Sequence, residues 1–130
     1  MFVLAKIKIV VLKRIEPKVV FGAEVPNNPI TGRDFEKCSK FEESQQFIVE
    51  NCGEMPVGFC SWAWQYIYKD LTVLQYGGDF PWMKGGEAKT CCTNGIRRVS
   101  FKMIRIITFF CNNQTYNIEL PFAPARIFMQ

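Results

Sequence analysis

The chain has no histidine, no Cys-x-x-Cys pair and no glycine-rich phosphate motif. Without histidine there can be no Ser–His–Asp triad and no Cys–His nucleophile. Successive cysteines are separated by 13, 7, 30, 0 and 18 residues, and none of these gaps is the paired spacing of structural zinc sites. Gly77-Gly78 and Gly85-Gly86 match neither a P-loop nor a dinucleotide fingerprint. No apolar run is long enough to span a bilayer. Acid is scarce at both ends: residues 1–14 contain none and residues 89–130 contain only Glu119.

What is present describes a globular domain. Of 130 residues, 48% are hydrophobic and 15% aromatic, enough to bury a core without disulfide or metal staples. The net charge of +4 is uneven. Lys6, Lys8, Lys13 and Arg14 make the start basic, residues 15–88 are net acidic, and residues 89–130 are basic again. Basic ends around an acidic middle predict one basic face. The opening MFVLAKIKIVVLKRI has the look of a leader, but Lys6 and Lys8 interrupt it and no small-residue cleavage site follows, so it reads as a strand. The expected compartment is cytoplasmic and reducing, where the six cysteines are buried, catalytic or metal-binding rather than disulfide-bonded.

Along the chain, KIKIVVLKRI (6–15) alternates as a half-buried strand does. Residues 24–37 read as loop, FIVE (47–50) as a short strand and 51–58 as loop again. One strong helix is predicted over roughly 59–76, with Cys60, Ala63, Trp64, Ile67, Leu71 and Leu74 on one stripe and Gly77-Gly78 just past its end. An aromatic loop follows over 77–87. Asn94-Gly95 predicts a hairpin with a two-residue type I′ turn, which sets Cys92 opposite Arg97 and Cys91 opposite Arg98. Thr90, Cys92, Arg97, Val99, Phe101 and Met103 then share the face toward the helix, and Lys89, Cys91, Arg98, Ser100 and Lys102 share the other. Residues 116–120 form one more strand, and PFAPARIFMQ reads as an irregular tail. The expectation is a single α+β domain spanning 1–130: a small, mostly antiparallel sheet with one main helix packed on one face.

The thiols carry the chemistry that the residues suggest. In the expected register each member of the Cys91-Cys92 pair sits beside a permanent cation, which favours thiolate. Cys60, in the first turn of the helix, would meet the positive end of its dipole. A site for redox exchange would therefore join Cys60 and Cys92, with Cys91 and Cys38 as accessories and Arg97 as cation. The plainer alternative is core packing, since free cysteine behaves as a small hydrophobe. Cys52 and Cys111 are expected to be incidental. Convergence of Cys38, Cys60, Cys91 and Cys92 would make a zinc or iron–sulfur site, although adjacent strand residues point apart. Asp79 reads as a turn-forming aspartate, with acid–base work the alternative.

A second class of function is a non-catalytic module. Lys6, Lys8, Arg98 and Lys102 would line one sheet face if the first strand pairs with 96–107, and such a face suits a small anionic ligand. For nucleic acid the charge is weak and no motif accompanies it. Trp62, Tyr66 and Lys69 form a second helix stripe, followed by Phe80, Pro81 and Trp82. Exposed together these would meet a protein partner or small molecule; the expectation is that they pack as core under the loop.

MPVGFCSWAW (55–64), YGGDFPW (76–82) and CCTNGIRRVSFK (91–102) together resemble a family of small, uncharacterised bacterial and archaeal cysteine-containing proteins. Its pattern runs M-P-x-G-F-C-x-W-A-W, G-G-x-F-P-W, C-C-x-D-G-x-R-P-V-x-F. The resemblance covers most of residues 3–107, leaving 108–130 as a C-terminal extension, and Cys38 matches an earlier family cysteine. It implies that Cys38, Cys60, Cys91, Cys92, Gly95 and Arg97 occupy motif positions, which adds weight to a thiol or metal role. Asn94 stands where the family has Asp, and Arg98 where it has Pro.

Overall fold

A computed structural model describes residues 5–51, 53–111 and 114–119, and of 107–111 and 114–119 only the backbone. The elements are β1 (Lys6–Arg14), α1 (Pro17–Phe21), β2 (Gln46–Val49), α2 (Ser61–Gln75), β3 (Glu87–Cys91), β4 (Val99–Cys111) and β5 (Gln114–Glu119). Every strand pair is antiparallel, in the order β2-β1-β4-β3, and β5 pairs with the later half of β4. Cys52 and the tail after residue 119 lie outside the described residues, as does the side chain of Cys111. The backbone of the expected C-terminal extension thus continues the sheet as far as Glu119.

The alternation in KIKIVVLKR sets the faces. Ile7, Ile9 and Val11 of β1 are at most 1% exposed, as are Val49, Val99, Phe101 and Met103 from the neighbouring strands. Against them α2 lays Ala63, Ile67, Leu71 and Leu74, each equally buried. Removing each of its isoleucine and leucine side chains from water stabilises by about 1.5–3 kcal/mol, so this stripe holds the helix to the sheet. Phe41 closes one end of the core, meeting Phe47, Phe59 and Phe101 edge-on at centroid separations of 5.9, 5.1 and 5.2 Å. On the opposite sheet face β1 and β4 carry Lys6, Lys8 and Lys102, but Lys6 pairs with Glu50 (4.0 Å) and Lys102 with Glu87 (3.4 Å), so acids interleave the expected basic face and Arg98 is not on it.

The helix ends as its two glycines suggest. Gly77, at φ 87°, gives its N–H to the Leu74 carbonyl (3.1 Å), and Gly78 gives its own to the Val73 carbonyl (2.8 Å). This double back-bond is a Schellman motif, which needs a left-handed residue at its first position. Gly78 is also sterically required, since a Cβ there would lie 2.8 Å from Val73 Cγ1. One short helix was not expected: Pro17 starts α1 with its preset φ, and Gly22 ends it at φ 62°.

The hairpin register corrects the expected turn. Cys91 pairs with Ser100 and Thr90 with Phe101, and the Cys92 N–H donates to the Val99 carbonyl at 3.0 Å. A type I′ turn needs positive φ at both central residues, and neither Asn94 nor Gly95 has it. Instead Asn94 Oδ1 accepts from the N–H groups of Ile96 (3.0 Å) and Arg97 (2.9 Å). Such a side-chain turn competes with the strand ladder and opens a longer loop. Each cysteine's partner moves by two positions, so the side-chain parity is kept. Thr90, Cys92, Val99, Phe101 and Met103 still face α2, while Arg97 and Arg98 leave the strand.

Candidate functional site

The expected pairing of Cys92 with Arg97 is not formed. Cys92 is 6% exposed inside the core cluster, and its Sγ accepts from the Val99 N–H at 3.3 Å. The guanidinium of Arg97 lies over the Phe35 ring, 5.5 Å from its centroid. Cys60 stands one position outside α2, as its N-cap, and its side chain makes no capping hydrogen bond. It packs partly buried against the same core, as does Cys38. The Sγ of Cys38 accepts from the Lys40 N–H at 3.4 Å, and its carbonyl accepts from Arg14. Cys38, Cys60, Cys91 and Cys92 are all free thiols. Among the described residues no three cysteine, aspartate or glutamate side chains gather closely enough to hold a metal ion. The convergence needed for zinc or an iron–sulfur cluster is therefore absent there, because Cys91 and Cys92 turn to opposite sheet faces.

Cys91 is placed differently. It is half-buried and lines an open cleft of about 590 Å³ that wraps around the β3 edge, with α2 and the 77–86 loop on one side and the outer sheet face, which carries Cys91, on the other. Arg98 and Lys89 line the same cleft, with Tyr66, Phe80 and Trp82 across from them. Trp82 is 76% exposed and Tyr66 39%, which corrects the expectation that these aromatics are core; only Phe80 packs against the core cluster. Trp62, 62% exposed, is not part of the cleft wall. Lys69 and Asp70, also on the wall, pair with each other at 3.2 Å. Lys89 and Arg98 form no ion pair among the described residues. The cleft thus holds two uncompensated cations beside exposed aromatic rings.

A buried arginine positions the aromatic wall. Arg105, 2% exposed, donates through Nη1 to the carbonyls of Leu74 (3.1 Å) and Gly78 (2.8 Å) and through Nη2 to Asp79 Oδ1 (2.8 Å). Asp79 Oδ1 also accepts from the Gly86 N–H at 2.8 Å, and Gly86 returns its carbonyl to the Arg105 N–H. One guanidinium thereby ties the end of α2 to both ends of the 77–86 loop. A cation at a helix C-terminus is favoured by the free carbonyls there. Asp79, read from the sequence as a turn former, instead closes the loop from end to end, by its bonds to Gly86 and Arg105. Arg105 was missed, yet its signal is in the alternation: residues 99, 101, 103 and 105 share the buried face, and a charge there must be paired. No family model, curated protein or solved structure matches this chain. No helix of the described residues is long and apolar enough to cross a membrane.

Proposed function

We propose that the protein is a binding module whose site is the cleft along β3, and that it takes an anionic ligand bearing an apolar or aromatic portion. One observation carries this: Lys89 and Arg98, without acidic partners among the described residues, line the same cleft around the β3 edge as the exposed rings of Tyr66 and Trp82, Lys89 from the outer sheet face and the rings from the α2 side. Cations supply attraction and steering to an anion, while exposed aromatic surface supplies the apolar contact. Four unpaired thiols support a reducing, cytoplasmic setting.

A naphthalene sulfonate is a suitable probe, read by Trp fluorescence. Removing both cations (Lys89→Ala with Arg98→Ala) is expected to weaken binding by about tenfold or more, as is Trp82→Ala, while the distant Lys18→Ala leaves it unchanged. Equal affinity across all these variants would sink the reading. A thiol-centred role is the second reading, favoured by the presence of Cys91 in the cleft wall. It acts through Cys91 rather than through Cys60 and Cys92. Iodoacetamide is expected to modify Cys91 well before Cys92, by peptide mass mapping, and bound probe to slow that reaction. If the probe binds Cys91→Ser as well as the parent, the thiol is a bystander and the module reading stands.

A further inference from the structure

β3 is an edge strand with one side unclaimed. Gly86 and Cys92 bond toward β4, through Arg105 N–H to Gly86 O and Cys92 N–H to Val99 O. Strand alternation then turns the N–H and C=O groups of Lys89 and Cys91 the other way, outward from the sheet. Among the described residues nothing pairs with them: β3 has β4 as its only neighbour, and β5 lies against a later stretch of β4. Open edges of this kind are templates for another strand, and proteins usually blunt or cover them. Here the edge runs along the floor of the cleft, since Ala88, Lys89, Thr90 and Cys91 all line it.

We infer that the cleft's ligand is an extended acidic peptide segment that adds to β3 as a further strand, an inference that rests on the cleft being the binding site. An added strand alternates in phase with the sheet. Its side chains on one face lie beside Lys89, and the one next to Lys89 is to be acidic; Lys102, one strand further in, is already paired with Glu87 at 3.4 Å. Those on the other face lie beside Ala88 and Thr90, toward Tyr66 and Trp82; these are to be apolar. The partner's signature is therefore acidic–apolar alternation over about six residues, an ordinary strand length. A second copy centred on Lys89 would set the two lysines against each other, whereas one centred on Ala88 would pair Glu87 with Lys89; a peptide with an acid opposite Lys89, unpaired among the described residues, fits the edge without depending on that register, and the dimer is an outcome of the test.

The test uses the full chain and a synthetic peptide of alternating glutamate and valine, with affinity read by Trp fluorescence or calorimetry. Two further peptides carry N-methyl groups on alternate backbone nitrogens, in the two opposite phases. Strand addition uses the N–H groups of one phase only, so one methylated peptide is expected to bind about tenfold or more weakly and the other like the parent. Lys89→Glu is expected to weaken the parent peptide by about tenfold, and Lys18→Glu to leave it unchanged. Replacing glutamate by lysine in the peptide is expected to abolish binding. If both methylated peptides bind as the parent does, strand addition is wrong, while a cation-dependent naphthalene sulfonate response still upholds the cleft. If neither peptide nor sulfonate binds, both readings fall. Dimers in sedimentation velocity that disappear with Lys89→Pro would assign the edge to a second copy and overturn the inference.

Discussion

Two loops of this protein are tied to the sheet by an arginine, and burial separates them. At the end of β1, Arg14 donates through Nε and Nη2 to Glu43 Oε2 (3.1 and 2.9 Å) and through Nη1 to the Cys38 carbonyl (3.1 Å). That pair is open to water, with side-chain exposures of 19% and 38%. At the end of α2, Arg105 makes the same kinds of bond from a side chain 2% exposed. Water can replace the partner of the first arginine and cannot reach the second. A surface ion pair contributes little, whereas removing the buried Arg105 leaves the carbonyls of Leu74 and Gly78 without their donor, its carboxylate partner Asp79 being 33% exposed. The 38–45 loop is therefore trimmed by its arginine, and the aromatic 77–86 loop depends on its own.

The largest effect expected from breaking the comparison is at Arg105. Arg105→Ala is expected to cost about 1–3 kcal/mol in chemical denaturation, the cost of leaving the buried carbonyls it serves unpaired, since Asp79, 33% exposed, can be hydrated. Arg105→Lys should recover only part of this, since an ammonium cannot reproduce the planar fork that serves two carbonyls and a carboxylate. A loss no larger than that of an exposed pair would erase the distinction.

A smaller effect tests the same region from the opposite side. Gln75 is 1% exposed, next to the Leu74 carbonyl that Arg105 serves, and its amide has no hydrogen-bond partner among the described residues. Gln75→Leu should leave stability unchanged or raise it by about 1 kcal/mol, because an unpaired buried amide gains nothing from its polarity. A clear loss in thermal melting would show that the amide is satisfied after all.

The smallest effect belongs to the exposed tether. Hydrogen bonding from Arg14 first, then from backbone N–H groups, lowers the Glu43 carboxyl from its ordinary 4.5 to about 2. A depressed carboxylate contributes its stabilisation above the ordinary value and loses it as pH falls from about 4.5 toward about 2. Glu43→Gln should flatten the stability profile in that window, lower neutral stability by the same small, water-screened amount and reduce its salt dependence. An unchanged acid limb would show that the tether is energetically silent.

Legibility followed how local the decision was. The helix stripe Ala63, Ile67, Leu71 and Leu74, the two glycines after it and the alternation in β1 each follow from side chains a few residues apart. The faces of the β3–β4 hairpin were readable for the same reason and survived a wrong register, since a shift of two keeps parity. The turn itself was not readable: Asn-Gly suits type I′, and the competing Asn94 Oδ1 bonds depend on how the following residues lie. Of the candidate thiols, Cys91 alone lines the cleft, and its outward direction came from alternation. The cations that share that wall were singled out with the wrong geometry in the case of Arg98. The pairing of Arg105 with Asp79, across 26 residues of chain, was out of reach.

By itself the sequence determined which residues are apolar at strand or helix period, and hence an α+β sheet with one helix on its buried face. Those are choices between water and hydrocarbon made every second or every third to fourth residue. Tertiary structure alone decided the strand order, and with it that β3 lies at an edge. Only there do Lys89, Cys91 and Arg98 meet Tyr66 and Trp82, because contacts between segments distant along the chain depend on where β4 lies relative to β1, which no local pattern encodes.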